Sequence, residues 1–143
     1  MSSDAHYRAL ERMYVGAPIN QIFRPSILIN EAASEVRMQI TPELHHAAHA
    51  AHGAAYFKML DDASFFAVQS LVTDVFVLTV SFQVYLLAPV IGGEMISRGR
   101  VVHQTKRLFI AESVAEVDGV CVARGNGSFM RSRTPLNAQV GYE

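Results

Sequence analysis

The sequence lacks the features of a secreted, membrane-bound or nucleic-acid-binding protein. It contains one cysteine, Cys121, so no disulfide can form within the chain. No apolar run approaches the ~20 residues that cross a bilayer, and the first residues are polar, unlike a signal peptide. The net charge of −1 offers no basic excess for nucleic acid. We therefore expect a cytoplasmic protein that binds neither nucleic acid nor a membrane.

Internal repeats, low-complexity tracts and a dividing linker are also missing. Half of the 143 residues are hydrophobic and 17% are charged, which is typical of one globular domain with a sizeable core. We expect a single domain over residues 1–143, with a helical N-terminal extension over 1–20 and a flexible tail over 133–143. In the extension, residues 4–14 are predicted to form an amphipathic helix capped by Ser3 or Asp4.

The hydrophobic periodicity predicts one long helix between two groups of strands. Residues 52–72 favour a helix that is apolar nearly all round. Residues 75–87 alternate with a period of two, so that the even-numbered side chains form an apolar face. Further strands are predicted at 25–30, 34–40, 94–104, 107–117 and 120–131. A tight hairpin is expected at Asp118-Gly119. The outline is an α+β fold with an antiparallel sheet wrapped around the helix.

Four of the six histidines lie between residues 45 and 52. His46, His49 and His52 follow one another at intervals of three, a spacing that some zinc sites use. No HExxH motif and no nearby cysteine accompanies them. The alternative is a polar loop whose histidines bond to the backbone, and we expect no metal.

Gly53 follows His52 at the predicted start of the long helix. A helix start offers unpaired N–H groups and the positive end of the helix dipole. A ligand carbonyl can approach a glycine amide closely, as in an oxyanion hole built from backbone. The alternative is that Gly53 is only a turn residue.

Two aspartates in mid-helix need a reason, because aspartate is a mediocre helix former. Asp61 and Asp62 lie in a polar arc of about 100° with Lys58 and Gln69. They form either a solvated stripe paired with Lys58, or a carboxylate above a cleft that acts as nucleophile or general base. The pattern leaves both open.

Two further polar side chains favour ordinary structural roles. Thr79 is a hydroxyl on the mixed face of a strand, which is common strand chemistry. Cys121 lies in the apolar stretch GVCVA and is expected in the core rather than as a nucleophile.

Three segments resemble the PaaI-like family of hotdog-fold acyl-CoA thioesterases. HGAAYFKMLDDA (52–63) is similar to the family's HGG-x6-D segment. VLTVSFQVYLLAPVIGGE (77–94) is similar to its strand with a following Pro and Gly-Glu turn, and GRVVHQTKRLFIAESVAEVDGVCVARGNGSFM (99–130) to its closing hairpins. The resemblance covers roughly residues 25–131.

The resemblance implies a hotdog fold whose subunits pair into one sheet, often as a dimer of dimers, with the active site at the subunit interface. It implies hydrolysis of an acyl-CoA to the free acid and CoA, with no metal or organic cofactor. Gly53 would donate its N–H to the thioester carbonyl, Asp61 would be the catalytic carboxylate, and Thr79 would help to position water.

The chain departs from the family within and just after residues 45–52, which we call the histidine loop. His46 and His49 stand where the family often has Asn and Gly, and Ala54 replaces the second Gly of HGG. We assign His46, His52, Ala54 and Asp62 to substrate binding.

Two other functions compete with hydrolysis. Hotdog dehydratases are marked by a Glu five residues after a Pro-Gly pair. This chain has no Pro before Gly53, and the residue five positions after Gly53 is Lys58. The other alternative is a non-catalytic acyl-CoA-binding regulatory module, which a turnover assay distinguishes.

Overall fold

A computed structural model describes residues 2–143 and confirms the predicted α+β hotdog fold. The helices are α1 (Ser3–Gly16), α2 (Asn20–Phe23) and the long α3 (Gly53–Gln69). The strands are β1 (Ser26–Asn30), β2 (Ala33–Ile40), β3 (Val75–Leu86), β4 (Gly93–Gln104), β5 (Phe109–Val117) and β6 (Val120–Pro135). Short 3₁₀ turns lie between β2 and α3 at Pro42–Leu44 and after β6 at Ala138–Val140. No helix within residues 2–143 is long and apolar enough to cross a membrane.

The six strands form one antiparallel sheet in the order β1-β2-β4-β5-β6-β3. The predicted hairpin between β5 and β6 is present. Asp118 (φ 51°) and Gly119 (φ 77°) both take the left-handed conformation that a tight two-residue turn requires. β1 and β3 lie at the two edges of the sheet, so β3 leaves one side of its backbone free of a strand partner within residues 2–143.

Helix α3 lies against the inner face of the sheet and fills the core. Met59, Leu60 and Ala63 are fully buried. At Gly99 of β4, a Cβ atom would stand 2.2 Å from the Ala63 carbonyl oxygen, so only glycine allows the helix to approach this closely. The Ser113 hydroxyl donates to the Leu60 carbonyl oxygen at 2.7 Å. Small residues of the sheet therefore fix the depth of α3.

The N-terminal helix packs over β1 and the end of α3. Its cap is Ser2, whose Oγ accepts from the Ala5 N–H, and not the predicted Ser3 or Asp4. The Glu11 carboxylate accepts from the Ile29 N–H of β1 at 2.8 Å. β6 continues to Pro135, beyond its predicted end at residue 131. The flexibility of 133–143 in solution stays a prediction.

The prediction that the even-numbered residues of β3 form an apolar face is wrong in part. Leu78 and Val80 of that face are 52% and 59% exposed, whereas Val77 of the mixed face is fully buried. The reason is two shifts in the pairing of β3 with β6, between Val75 and Val77 and between Thr79 and Ser81. A bulge of this kind breaks strict alternation, and periodicity alone does not reveal it.

Two other side chains differ from their predicted surroundings. Cys121 is exposed, contrary to its predicted core position. It follows a pairing shift between Ala115 and Glu116 near the hairpin, which turns it away from the helix. Gln69 is fully buried instead of extending the polar arc. Its side chain joins the end of α3 to β3 through the Val75 carbonyl and the Val77 N–H.

Candidate active site

The side chains of Asp61 in α3 and Thr79 in β3 are joined by a hydrogen bond. The Thr79 hydroxyl donates to Asp61 Oδ1 at 2.8 Å, so the helix and the edge strand together position the carboxylate. Burial raises the pKa of Asp61 to about 6, and the charge of Asp62 acts in the same direction, while the Thr79 hydrogen bond and Lys58 oppose it. A carboxylate with this pKa is ionised at neutral pH and basic enough to accept a proton from water.

Asp62 points to a different set of partners. Its Oδ2 accepts from the Tyr14 hydroxyl at 2.6 Å and from Lys58 Nζ at 2.8 Å. The expected Lys58 pair is therefore present, but the stripe is not solvated, because the side chains of Lys58 and Asp62 are only 10% and 17% exposed. Removing one partner of such a partly buried pair costs more than breaking an exposed pair, because the other charge is left without its partner away from water. Burial and Asp62 raise the pKa of Tyr14 far above its ordinary value, so the phenol stays protonated.

Both aspartates line a cavity of about 780 Å³, which we call the aspartate cavity. Its polar end holds Asp61, Asp62, Lys58 and Thr79. The rest of the wall comes from aromatic side chains of α3 and β3 and from the two ends of the chain. These lining residues are Met13, Tyr14, Gly16, Ala17, Pro18, Ile19, Asn20, Phe65, Phe66, Phe76, Leu78, Ala138, Gln139, Val140 and Gly141. The cavity therefore joins a carboxylate to a largely apolar space.

The start of α3 forms a second, separate region. His52 caps the helix, because its Nδ1 accepts the Ala54 N–H at 2.8 Å. Within residues 2–143 the Gly53 N–H has no hydrogen-bond partner. Gly53 lines a pocket of about 290 Å³ together with His46 and Leu86. A Cβ at position 53 would stand 3.3 Å from the Leu86 Cδ1, so glycine keeps the space beside this amide open.

The histidine loop holds its side chains apart from one another. His45 Nε2 lies 2.7 Å from the Ile91 carbonyl oxygen, and His46 Nδ1 accepts the Ala48 N–H at 3.1 Å. His49 has φ 64°, a left-handed conformation that glycine adopts at lower cost. Within residues 2–143 no three His, Cys, Asp or Glu side chains are placed to hold a metal ion. The independence of activity from metal stays a prediction.

The structure does not bring all the predicted site residues together in one chain. Asp61, Asp62 and Thr79 meet at the aspartate cavity, whereas His46 and Gly53 line the smaller pocket next to His52 and Ala54. Asp61 follows Gly53 by eight positions, which is about 12 Å along a helix. The two linings share no residue, so one chain does not offer both groups to one carbonyl.

Nothing in the sequence around Tyr14 indicates a role in the site. Tyr14 reaches Asp62 across 48 positions of the chain, and no local pattern encodes such a contact. The amphipathic character of residues 4–14 signals only that one face of the helix is buried. The turn at Ala138–Val140, which also lines the cavity, gives no signal of its own.

Comparison with known proteins supports the fold and the family. Residues 49–117 match the sequence model of the thioesterase superfamily. This part of the chain resembles the thioesterase superfamily. The E. coli PaaI protein from the phenylacetic acid degradation operon has the same fold, with a TM-score of 0.84. The two chains are 19% identical, and the comparison covers 93% of this chain and 97% of that one. No curated protein matches the chain.

Two further solved structures share the fold of this chain. A conserved protein of Pseudomonas aeruginosa is 22% identical, with a TM-score of 0.80 over 85% of this chain and 98% of that one. A putative thioesterase from Ralstonia eutropha JMP134, described as related to phenylacetic acid degradation, is 18% identical, with a TM-score of 0.78 over 87% and 98%. The resemblance stated from the sequence is confirmed at the level of family and fold.

Proposed function

We propose that the protein hydrolyses an acyl-CoA to the free acid and CoA, with Asp61 as general base or nucleophile. The observation that carries the proposal is the Asp61–Thr79 pair at one end of an apolar cavity. A buried carboxylate with a pKa of about 6 is suited to proton transfer or attack at neutral pH. The apolar part of the cavity gives the acyl group a place to lie while its carbonyl stays beside Asp61.

The carbonyl oxygen is stabilised by Gly53 of the partner subunit. The Gly53 N–H is unpaired at a helix start, where the helix dipole favours negative charge. It lies too far from Asp61 of its own chain to act on the same substrate. Pairing two copies along the free edge of β3 supplies both groups at one thioester, and the exposed Leu78 and Val80 on that strand favour such burial. We propose a homodimer, with two dimers forming a tetramer.

In this site Thr79 holds Oδ1 of Asp61, so that Oδ2 is directed at water. Asp61 takes a proton as the water oxygen bonds to the thioester carbon. The negative charge on the carbonyl oxygen is held by the partner's Gly53 amide. The C–S bond then breaks, and the CoA thiolate leaves and takes up a proton. If Asp61 attacks directly, water hydrolyses the resulting anhydride in a second step.

The histidine loop completes the substrate-binding side of the proposal. His46 lines the same pocket as Gly53, so its imidazole contacts the thioester end of the substrate. His52 keeps the helix start in place by accepting the Ala54 N–H. A cytoplasmic location, expected from the single cysteine and the polar N-terminus, stays a prediction.

A panel of acyl-CoA substrates, scored for CoA release, tests this function. Asp61→Asn should lower turnover by about 10²-fold or more, since that is the lower range for a lost acid–base group. Asp62→Asn makes the same chemical change one residue later and should cost much less in turnover, because Oδ2 of Asp62 already accepts hydrogen bonds from Tyr14 and Lys58. A healthy Asp61→Asn enzyme with a dead Asp62→Asn enzyme would reverse the assignment. Binding of acyl-CoA without release of CoA would favour the regulatory module.

A further inference from the structure

Tyr14 connects the N-terminal extension to α3 beside the proposed base. Its hydroxyl donates to Asp62 Oδ2 at 2.6 Å, and Asp62 adjoins Asp61 in sequence. The Tyr14 side chain is almost fully buried. Tyr14 lies outside residues 49–117, the part of the chain that matches the family. The contact is therefore made by a segment outside the matched region.

Other contacts converge on the same point. The Tyr14 ring stands edge-on to Phe66, with centroids 5.0 Å apart and an angle of 74° between planes. The Tyr14 carbonyl accepts from the Asn20 side chain at 2.7 Å, which ties α2 to the end of α1. Lys58 Nζ lies over the Tyr14 and Phe23 rings at 5.5 and 5.2 Å while it bonds Asp62. The corner between α1 and α2 is thus fastened to α3 at one charged, mostly buried cluster.

This corner is also a wall of the aspartate cavity. Residues 16–20 of the corner line the cavity together with the side chains of Phe65 and Phe76. Its distance from those rings sets how much room an acyl group has. Because the Asp62 acceptor is charged and shielded, the Tyr14 bond is stronger than one between neutral groups in water. The position of the wall therefore depends on this bond.

We infer that Tyr14 is a specificity-determining residue, whose hydroxyl fastens the N-terminal extension over the aspartate cavity and so limits the length of the acyl group that reaches Asp61. The inference rests on the proposed function. It separates two tasks: Asp61 and Thr79 act on the thioester, while Tyr14 acts through Asp62 on the size of the space behind it. Loss of the hydroxyl should let the wall move outward and admit longer chains.

Tyr14→Phe tests the inference with Tyr7→Phe as a matched control. Both variants lose one hydroxyl from α1, but the Tyr7 hydroxyl bonds no other group in residues 2–143 and does not line the cavity. Straight-chain substrates from acetyl-CoA to palmitoyl-CoA are compared by kcat and KM. Loss of a hydrogen bond to a charged group changes an equilibrium by about tenfold or more. We therefore expect Tyr14→Phe to raise kcat/KM for chains just beyond the wild-type limit by about tenfold, through KM, with little change in kcat for the best substrate.

The outcomes separate this inference from the proposed function. An unchanged length limit in Tyr14→Phe, or an equal change in Tyr7→Phe, overturns the inference while hydrolysis stands. If the wild type hydrolyses no acyl-CoA, the proposed function fails. Amide hydrogen exchange then tests whether the Tyr14 hydroxyl holds the N-terminal extension against α3. The amides of residues 3–16 should exchange faster in Tyr14→Phe than in Tyr7→Phe. Equal exchange rates in the two variants overturn the inference that the Tyr14 hydroxyl holds this segment in place. Should Tyr14→Phe fail to fold, Asp62→Asn weakens the same bond from the acceptor side and should extend the length limit in the same direction.

Discussion

Replacing Asp61 by asparagine should make the protein more stable at neutral pH while it removes activity. The folded chain holds this carboxylate in partly buried surroundings that favour its neutral form, and burial raises its pKa to about 6. Asparagine has nearly the same shape and stays neutral at every pH. Its side-chain oxygen can still accept the Thr79 hydroxyl that now bonds Asp61. The substitution therefore removes a buried charge without opening a cavity.

The sign and size of this stability gain follow from the pKa of Asp61 in the folded chain and its ordinary value. Because the folded value of about 6 lies above the ordinary 3.8, the folded chain binds the proton more tightly than the unfolded chain. The stability that this proton contributes is fully present below pH 3.8 and is lost as the pH rises through about 6. That interval corresponds to about 3 kcal/mol, at about 1.4 kcal/mol per tenfold change in proton affinity. Partial contact with water reduces it, so we expect a gain of about 1–2 kcal/mol for Asp61→Asn above pH 7.

Urea unfolding at pH 4 and pH 8, at one fixed protein concentration, measures this gain. The advantage of Asp61→Asn should be small at pH 4 and nearly complete at pH 8. Asp74→Asn is the control, because the Asp74 side chain is 70% exposed and pairs with Arg131 on the surface. It should change stability by less than about 0.5 kcal/mol at either pH. An Asp61→Asn gain that is absent at pH 8, or equal at both pH values, contradicts the raised pKa and with it the argument for a base.

Three further changes test other parts of the structure. Thr79→Val removes the bond that lowers the pKa of Asp61, so the acid limb of kcat/KM should move to higher pH by up to about one unit, and Thr79→Ser should restore it. Gly99→Ala should destabilise by about 1–3 kcal/mol or more in urea unfolding, because its Cβ meets the Ala63 carbonyl at 2.2 Å. Gly92→Ala, whose Cβ has open space to 3.9 Å, should change little. Sedimentation should show at least a dimer, and Val80→Asp should yield an inactive monomer while Val102→Asp, on an exposed β4 site, stays dimeric. A fully active monomer would refute the shared site.

The order and type of the elements could be predicted because each has a strong local pattern. The long helix is apolar over most of its surface, and Asp118-Gly119 supplies both left-handed residues of its hairpin. The exposure of Leu78 and Val80 could not be predicted, because the bulges of β3 depend on its pairing with β6. A one-residue shift of this kind moves side chains to the other face without any change in local composition.

The site shows the same division between local and long-range information. The sequence singles out Gly53 and Asp61 because a glycine at a helix start and an aspartate in mid-helix are locally unusual, and because their spacing resembles a known segment. Their catalytic roles stay a prediction. The partner of Asp62 was only half predicted. Lys58 lies one turn away on the same helix, whereas Tyr14 comes from another element. Contacts between elements distant in sequence follow from the fold and not from the pattern around either residue.

The same separation of local from long-range information explains why residues 49–117, which match the family, do not identify the acyl group of the proposed substrate. The groups proposed for the chemistry, Gly53, Asp61 and Thr79, all lie within residues 49–117. The wall of the aspartate cavity comes only in part from this region, and its other part comes from Met13 to Asn20 and from the turn at Ala138–Gly141, near the two ends of the chain. Substitutions in these end segments change the space around the acyl group while the carboxylate and its threonine stay in place. Two proteins with the same matched region can therefore hydrolyse different acyl-CoA substrates, and the ends of the chain are where a difference in selectivity should be sought.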